Sequence, residues 1–310
     1  MRFFHRFQTI NYRFFGLVNG IMLNKTAKDE YTKILFLLND KYSKYINEPV
    51  KAETSSRFPN KIWQLWLQGK DEMPPIIRKC TQSVKEFHKD NVILLTQNEL
   101  KNYVEIPEFI IEKYKKRIIP PAHFSDIIRL ILLAQYGGCW IDASVFLTDK
   151  IPADILNADF FSFKSRYSLF IDNNLSLGQF KMISNNFNSI IEMETPYFFS
   201  AKPASALINT LLNLLLHYWE NENTLIDYLI IDKFFILTVV KNKKCRFEYL
   251  NMPIYYRENT LLLQHALFER FNKRLFERIK AMSSVHKLTY KNLHRNPYKN
   301  SFLMHILNKK

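Results

Sequence analysis

Glycine is scarce in this chain, six in 310 residues, so left-handed turns have few places to occur and each glycine marks a break in the pattern. Cysteine is scarcer. Cys80, Cys139 and Cys245 are odd in number and lack metal-ligand spacing, which argues against a disulfide framework or a zinc site and fits a reducing cytosol. Acidic residues are in deficit, 29 against 44 Lys and Arg, leaving a formal charge of +15 that favours nucleic acid, anionic lipid or phosphorylated partners without choosing among them. No run reaches the roughly eighteen apolar residues of a spanning helix, so peripheral attachment is the most the sequence allows. With no RNA-binding aromatic-glycine motif and no clear recognition helix, nucleic acid is not an expected partner.

What is present in quantity is apolar and aromatic side chain, 47% and 15% of the residues, enough for a large core in one large domain with extensions or two small ones. The densest stretch is Pro120 to Thr148, PPAHFSDIIRLILLAQYGGCWIDASVFLT. Gly137 and Gly138 stand there between an apolar helical run and an apolar alternating one. The pattern predicts a helix from Ser125 as N-cap to Gly137 as the residue that ends it, apolar nearly all round. Asp126 and Arg129 are its only charges and lie three apart, on one face. They are either a structural ion pair or two groups pointing into a ligand cleft. After the glycines, Cys139, Ile141, Ala143, Val145 and Leu147 alternate with Trp140, Asp142, Ser144, Phe146 and Thr148, which is strand spacing. That spacing puts Asp142 and Ser144 on one side, where they can hold a hard divalent cation such as Mg2+ or Mn2+ through oxygen or merely serve the following turn.

Upstream, KIWQLWLQG (61–69) reads as a buried strand and turn, Pro74 to His88 as a helix with proline at its start, and NVILLT (91–96) as a second buried strand. Strand, helix, strand, helix, strand predicts an α/β sheet flanked by helices, with ligands outside the carboxyl ends of the strands. Before it, Lys25 to Val50 looks helical and KAETSSRFPN is a candidate linker. Met1 to Asn24 interleaves Arg2, Arg6 and Arg13 with phenylalanines, which suits an anionic membrane surface or an ordinary docked helix; it does not read as a secretory signal. Residues 151–200 are poorly periodic, with short candidate strands at Phe160 to Phe163 and Tyr197 to Ser200. Ala204 to Trp219 and Leu225 to Val240 are apolar helices, the second carrying Asp227, Tyr228 and Asp232.

The segments FSDIIRL, QYGG and WIDASVFLT, in that order, closely resemble the DXD-containing sugar-transferase pattern of the bacterial capsular polysaccharide synthesis proteins, related to glycosyltransferase family 32; the likeness runs from about Lys61 to about Lys291. It implies a GT-A-like nucleotide-sugar-binding fold with a mixed central sheet flanked by helices. The domains expected are a helical, membrane-surface or docked extension over 1–58, the transferase domain over 59–291 and a basic tail over 292–310. It implies sugar transfer from a nucleotide-sugar donor to a growing, lipid-linked capsular or other surface polysaccharide with retention of configuration, in the cytoplasm or at the inner face of the membrane.

Under the resemblance Asp142, Asp126 and Arg129 are the catalytic residues. The metal, Mn2+ or Mg2+, is held by Asp142, Ser144 and His286, with Ser144 where the motif has a second acid. Donor contacts are Trp63, Gln64, Trp66, Asp126, Arg129, Gly138, His286 and Lys287. The last two lie in SSVHKLTYK, which resembles a His-Lys-Leu-Thr segment of the same family and also reads as a solvated basic stretch. Alternatives are a sugar-phosphate transferase, or a non-catalytic basic module that binds nucleic acid or anionic membrane.

Overall fold

Gly138 lets two strands meet. Its φ is +89°, and a Cβ built on it would fall 2.2 Å from the Lys61 carbonyl oxygen, so only glycine allows the first and third strands to run side by side here. In the computed structural model, which describes residues 25–48, 54–165, 196–291 and 298–308, this contact lies at the centre of a five-stranded mixed sheet. The strands are β1 (Ile62–Leu65), β2 (Val92–Leu95), β3 (Gly138–Ile141), then, skipping a short separate strand, β5 (Phe160–Phe161) and β6 (Phe198–Ala201), in the order β2-β1-β3-β6-β5. β1 is parallel to both β2 and β3, with Trp63 opposite Ile93 on one side and Trp140 on the other. β6 runs antiparallel to β3, and β5 to β6. The mixed α/β sheet flanked by helices that the sequence predicts is therefore the one observed.

The chain leaves β1 for β2 and then crosses back past β1 to β3. The carboxyl ends of β1 and β3 thus flank the point where strand order reverses, the place where open sheets of this kind gather ligands. Helix α1 (Lys25–Tyr42) precedes the sheet, α2 (Pro75–His88) makes the first crossover, and α3 (Glu108–Lys115) and α4 (Pro121–Tyr136) make the second. α4 begins four residues ahead of Ser125, because Pro121 at the first helical position already holds the φ of a first turn, with Pro120 extended before it as the cap, and Ser125 sits inside the helix. At its other end Gly137 adopts φ +65°, and its N–H bonds the Leu133 carbonyl at 2.9 Å.

The alternating run after the glycines is not one strand. β3 stops at Ile141, and the chain turns through Asp142–Ser144 with the Val145 N–H on the Asp142 carbonyl at 2.9 Å. It then enters β4 (Val145–Leu147), which belongs to a second, two-stranded sheet with β7 (Val285–Lys287). Both halves are apolar and buried, so the alternation continues across a break that sequence period does not reveal.

Two helices, α6 (Ala206–Asn221) and α7 (Ile230–Lys241), pack with α1 and α4 on one face of the sheet, in a core that includes Trp63, Trp140, Trp219 and Phe234; α5 (Ala153–Asn157) places Ile155 in a separate cluster with Cys139, Ile141 and Phe198. Asp227 and Tyr228 precede α7 rather than lying on it. Leu35, Leu38, Tyr42 and Ile46 from the N-terminal helical stretch join that same core. The opposite face is covered by α2, α9 (Arg257–Ala266) and α10 (Lys273–Met282), after α8 (Lys243–Asn251). The stretch expected as a basic tail ends in α11 (Phe302–Asn308), where Phe302, Leu303 and Ile306 are buried in this second core. Met1 to Asn24, read above as a membrane-surface or docked segment, and most of the irregular middle region lie outside the described residues. Among the described residues no helix is long and apolar enough to cross a membrane.

Candidate active site

At the carboxyl end of β3 four charged side chains form a continuous chain. Arg129 Nη1 donates to Asp126 Oδ1 at 2.8 Å within α4, and Arg129 Nη2 donates to Asp142 Oδ1 at 3.2 Å across the turn. Lys287 Nζ donates to Asp142 Oδ2 at 2.7 Å and to Ser144 Oγ at 2.7 Å. Signs alternate along the chain, as burial requires: the Arg129 side chain is only 5% exposed. Its guanidinium also lies over the Trp140 ring, 4.9 Å from the centroid.

Each member is fixed by its element. Asp126 and Arg129 meet because they are three apart on a helix. Asp142 is aimed by Trp140, two residues earlier on the same side of β3, whose indole N–H donates to Asp142 Oδ1 at 3.0 Å, and its own N–H bonds the Tyr197 carbonyl at 2.9 Å. Lys287 arrives through β7, where it pairs with Val145, and the next residue's N–H bonds the Ser144 carbonyl at 2.9 Å. Asp142 and Ser144 therefore converge through the turn and through Lys287, not through strand alternation.

The two carboxyls are shifted in opposite directions. Burial pushes Asp126 up to about 6, a rise that Arg129 opposes and Asp142 reinforces. Burial also acts to raise Asp142, but Lys287 and Arg129 outweigh it and hold that carboxyl below the usual range. Next to Asp126 stand His123, with Nδ1 3.5 Å from Asp126 Oδ2, and Asp232 on α7, pushed up to about 8 by burial, with Asp126 and Asp227 adding to the rise and Lys233 and Arg257 opposing it.

Several buried polar atoms around the carboxyl ends of β1 and β3 have no partner among the described residues: both amide atoms of Gln64, the Trp66 indole N–H, Arg129 Nε and Asp232 Oδ1. Gln64 is fully buried and lies on the strand face shared with Ile62 and Trp66. Trp66 meets Tyr290 edge-on, ring centres 5.4 Å apart. Orphaned polar groups of this kind usually mark a functional site or a place filled by water or ligand.

The structure brings Asp126, Arg129, Asp142, Ser144 and Lys287 together, and leaves Gln64 and Trp66 at the neighbouring strand end. It does not bring Trp63 there. That residue is fully buried in the core beside Trp140, its indole N–H on the Gly137 carbonyl at 2.9 Å, so it fills the core rather than reaching the strand end. Gly138 serves the approach of β3 to β1. His286 is also turned away: it is fully buried beside Lys287 on β7 but points to the other face, with Nε2 3.0 Å from Thr148 Oγ1, and burial pushes its imidazole down to about 3.

The donor set expected for a divalent cation is thus not assembled. His286 is absent from it, and the facing oxygens of Asp142 and Ser144 are both engaged by an ammonium ion. Among the described residues no three His, Cys, Asp or Glu side chains gather in a metal-binding group. The residues missed by sequence reasoning are Trp140 and His123, and both left a signal: Trp140 is two positions before Asp142 on a strand, and His123 three before Asp126 on a helix.

The chain is similar to known proteins in three ways. A family model described as "Capsular polysaccharide synthesis protein" matches residues 19–306. A curated relative, "O-glycosyltransferase braB" of Annulohypoxylon truncatum, is 28% identical over 122 residues, 35% of this chain and 29% of the relative, so the chain spans less than a third of that protein. A solved structure, "PaToxG Glycosyltransferase", aligns with 84% of this chain and 100% of its own at 12% identity and a TM-score of 0.38.

Proposed function

The chain belongs to the capsular polysaccharide synthesis protein family, and on that premise we propose that it is a glycosyltransferase moving a sugar from a nucleotide-sugar donor to a growing, lipid-linked capsular or other surface polysaccharide. The observation that carries this reading is the gathering of Asp126, Arg129, Asp142 and Lys287 where the strand order reverses; at the end of the neighbouring strand β1, buried polar atoms of Gln64 and Trp66 lack partners among the described residues. Such a place accepts a polar, anionic ligand whose groups complete the unmade hydrogen bonds.

Transfer requires that negative charge be met on the departing nucleoside diphosphate and that the sugar be held in one orientation. Asp126 and Arg129 orient the donor: they are locked to each other and to Asp142, so their positions do not have to be found when the donor binds. Asp142 is the keystone, since it receives hydrogen bonds from Arg129, Trp140 and Lys287. Attack on the same face of the sugar, with retention, is the stereochemistry the family resemblance implies. The basic balance of the chain supports work at the inner face of the membrane, where both an anionic surface and a lipid-linked acceptor are found.

The test is a screen of nucleotide sugars for hydrolysis and transfer, run with and without added manganese, with identification of the released nucleotide. Release of a nucleoside diphosphate, reduced about 100-fold or more in Asp142→Asn, is the expected result. A nucleoside monophosphate would make the protein a sugar-phosphate transferase. Salt-sensitive binding to random DNA with no turnover of any donor would replace the enzyme by a binding module.

A further inference from the structure

We propose that Lys287 takes the position of the divalent cation, so that the enzyme meets the diphosphate of its donor with an ammonium ion and needs no bound metal. The inference rests on the glycosyltransferase reading, and it comes from three features of the site.

The first is geometric. A cation bridging Asp142 and Ser144 would stand between Asp142 Oδ2 and Ser144 Oγ, and Lys287 Nζ stands there, 2.7 Å from each. The backbone brings the base of that side chain to the turn: Lys287 pairs with Val145 across β4 and β7, and Leu288 N–H holds the Ser144 carbonyl at 2.9 Å. Asp142 Oδ1 is meanwhile committed to Arg129 and Trp140. A metal could enter only by displacing Lys287 and would then lie close to two cationic side chains.

The second is charge balance. Two carboxylates match a divalent cation, whereas one carboxylate and a hydroxyl match a monovalent one. Ser144 removes one negative charge from the turn and Lys287 supplies one positive charge, so the turn is neutral without a metal. The Asp126 and Arg129 pair cancels beside it, and no uncompensated carboxylate is left to recruit a metal ion.

The third is access. Lys287 and Asp142 keep 26% and 27% of their side-chain surface open. An ammonium group has three donors; Asp142 and Ser144 take two, and the third can face an incoming phosphate oxygen. The Tyr197 ring, 5.2 Å from Nζ, limits where the ammonium can swing. In transfer the bond from the anomeric carbon to the diphosphate oxygen breaks with its electron pair on the diphosphate. The acceptor hydroxyl oxygen bonds that carbon, and its proton leaves on the diphosphate. Lys287 donates a hydrogen bond to the oxygen gaining charge and transfers no proton.

The experiment is calorimetric titration of the full chain with UDP, GDP, CDP, ADP and inorganic pyrophosphate, in EDTA and again in millimolar manganese or magnesium. The expected result is binding of at least one nucleoside diphosphate with affinities in the two conditions within about threefold, and a loss of about 10- to 100-fold in Lys287→Met. Lys287→Arg, which keeps the charge, should lose less than Lys287→Met and stands in if the latter fails to fold. A companion variant, Ser144→Asp with Lys287→Ala, restores two carboxylates and should gain manganese binding, read by the loss of free-ion electron paramagnetic resonance signal, where the wild type shows none. Diphosphate binding that requires the metal, or manganese capture by the wild type, overturns the proposal and leaves the glycosyltransferase reading standing. No diphosphate binding under any condition overturns both.

Discussion

Arg129 and Asp142 are joined at 3.2 Å between the buried face of α4 and the turn that ends β3. The Arg129 side chain is 5% exposed and the other fork nitrogen holds Asp126, so one planar group ties a helix to a strand end. An ammonium cannot bridge two carboxylates in this way while lying over Trp140. Arg129→Lys should therefore behave as a disruptive change, and Arg129→Met more so, because each leaves a buried carboxyl short of its partner.

The cost of removing one partner from a buried pair is about 3 kcal/mol or more, and we expect Arg129→Met to lower stability by that order in urea titration. Donor affinity should fall as well. If Arg129→Met lowers the unfolding midpoint but leaves nucleotide-sugar affinity at the wild-type value, the pair is structural only and its orienting role is withdrawn.

Asp232 gives a pH prediction whose sign can be worked out. Burial, with Asp126 and Asp227 nearby, raises its carboxyl from 3.8 to about 8, against the opposing charges of Lys233 and Arg257. The folded state thus binds this proton more tightly than the unfolded chain, so the contribution is fully present below about pH 4 and is lost as pH rises toward 8. Asp126, raised to about 6, adds a loss of the same sign over a narrower window. The wild type should lose stability between about pH 5 and pH 8, and Asp232→Asn should flatten that slope and be the more stable protein at the alkaline end. Identical slopes for the two proteins in urea melts across this range would show that Asp232 is charged in the fold.

The fold and half of the site were legible because they depend on local periodicity. Helical spacing put Asp126 beside Arg129, alternation and flanking turns found β1 and β2, and the glycine pair marked the end of α4. What stayed hidden depends on contacts distant in sequence. Lys287 reaches Asp142 from 145 positions away, a relation that no spacing rule contains. Period could not show the break between β3 and β4, since both strands keep the same apolar alternation while joining different sheets. Trp63 and Trp66 look alike in sequence; the first lies within β1 and is fully buried, while the second lies just past the carboxyl end of that strand, a difference set by where β1 stops.

His286 gives a second pH prediction, opposite in sign to that of Asp232. It is fully buried, with Nε2 on Thr148 Oγ1, and its imidazole is pushed down to about 3 by burial. A histidine depressed in the fold binds its proton more readily when unfolded, so the stability tied to its neutral form is present above about pH 6.5 and lost as pH falls toward 3. His286→Gln, which can still meet Thr148, should reduce this acid sensitivity and change nucleoside diphosphate affinity less than about threefold, well under the loss typical of a removed charged contact. A loss of affinity as large as that of Lys287→Met would mean that the imidazole turns toward the donor when it binds.

Gly138 and Gly69 carry similar positive φ, +89° and +98°, but differ in surroundings. A Cβ at Gly69 meets nothing within 4 Å, whereas at Gly138 it would meet the Lys61 carbonyl oxygen at 2.2 Å and also Lys61 C and N at 3.2 Å. Gly69→Ala should then cost only backbone strain, about 1–2 kcal/mol. Gly138→Ala adds overpacking against backbone that cannot rotate away, a further 1–3 kcal/mol or roughly that. It also widens the gap between β1 and β3 that positions Gln64 and Asp142, so diphosphate affinity should fall in Gly138→Ala in whatever protein remains folded, and not in Gly69→Ala. Equal stability of the two variants would mean that β3 slides past β1 without loss, and that the register at the centre of the site is not fixed by this glycine.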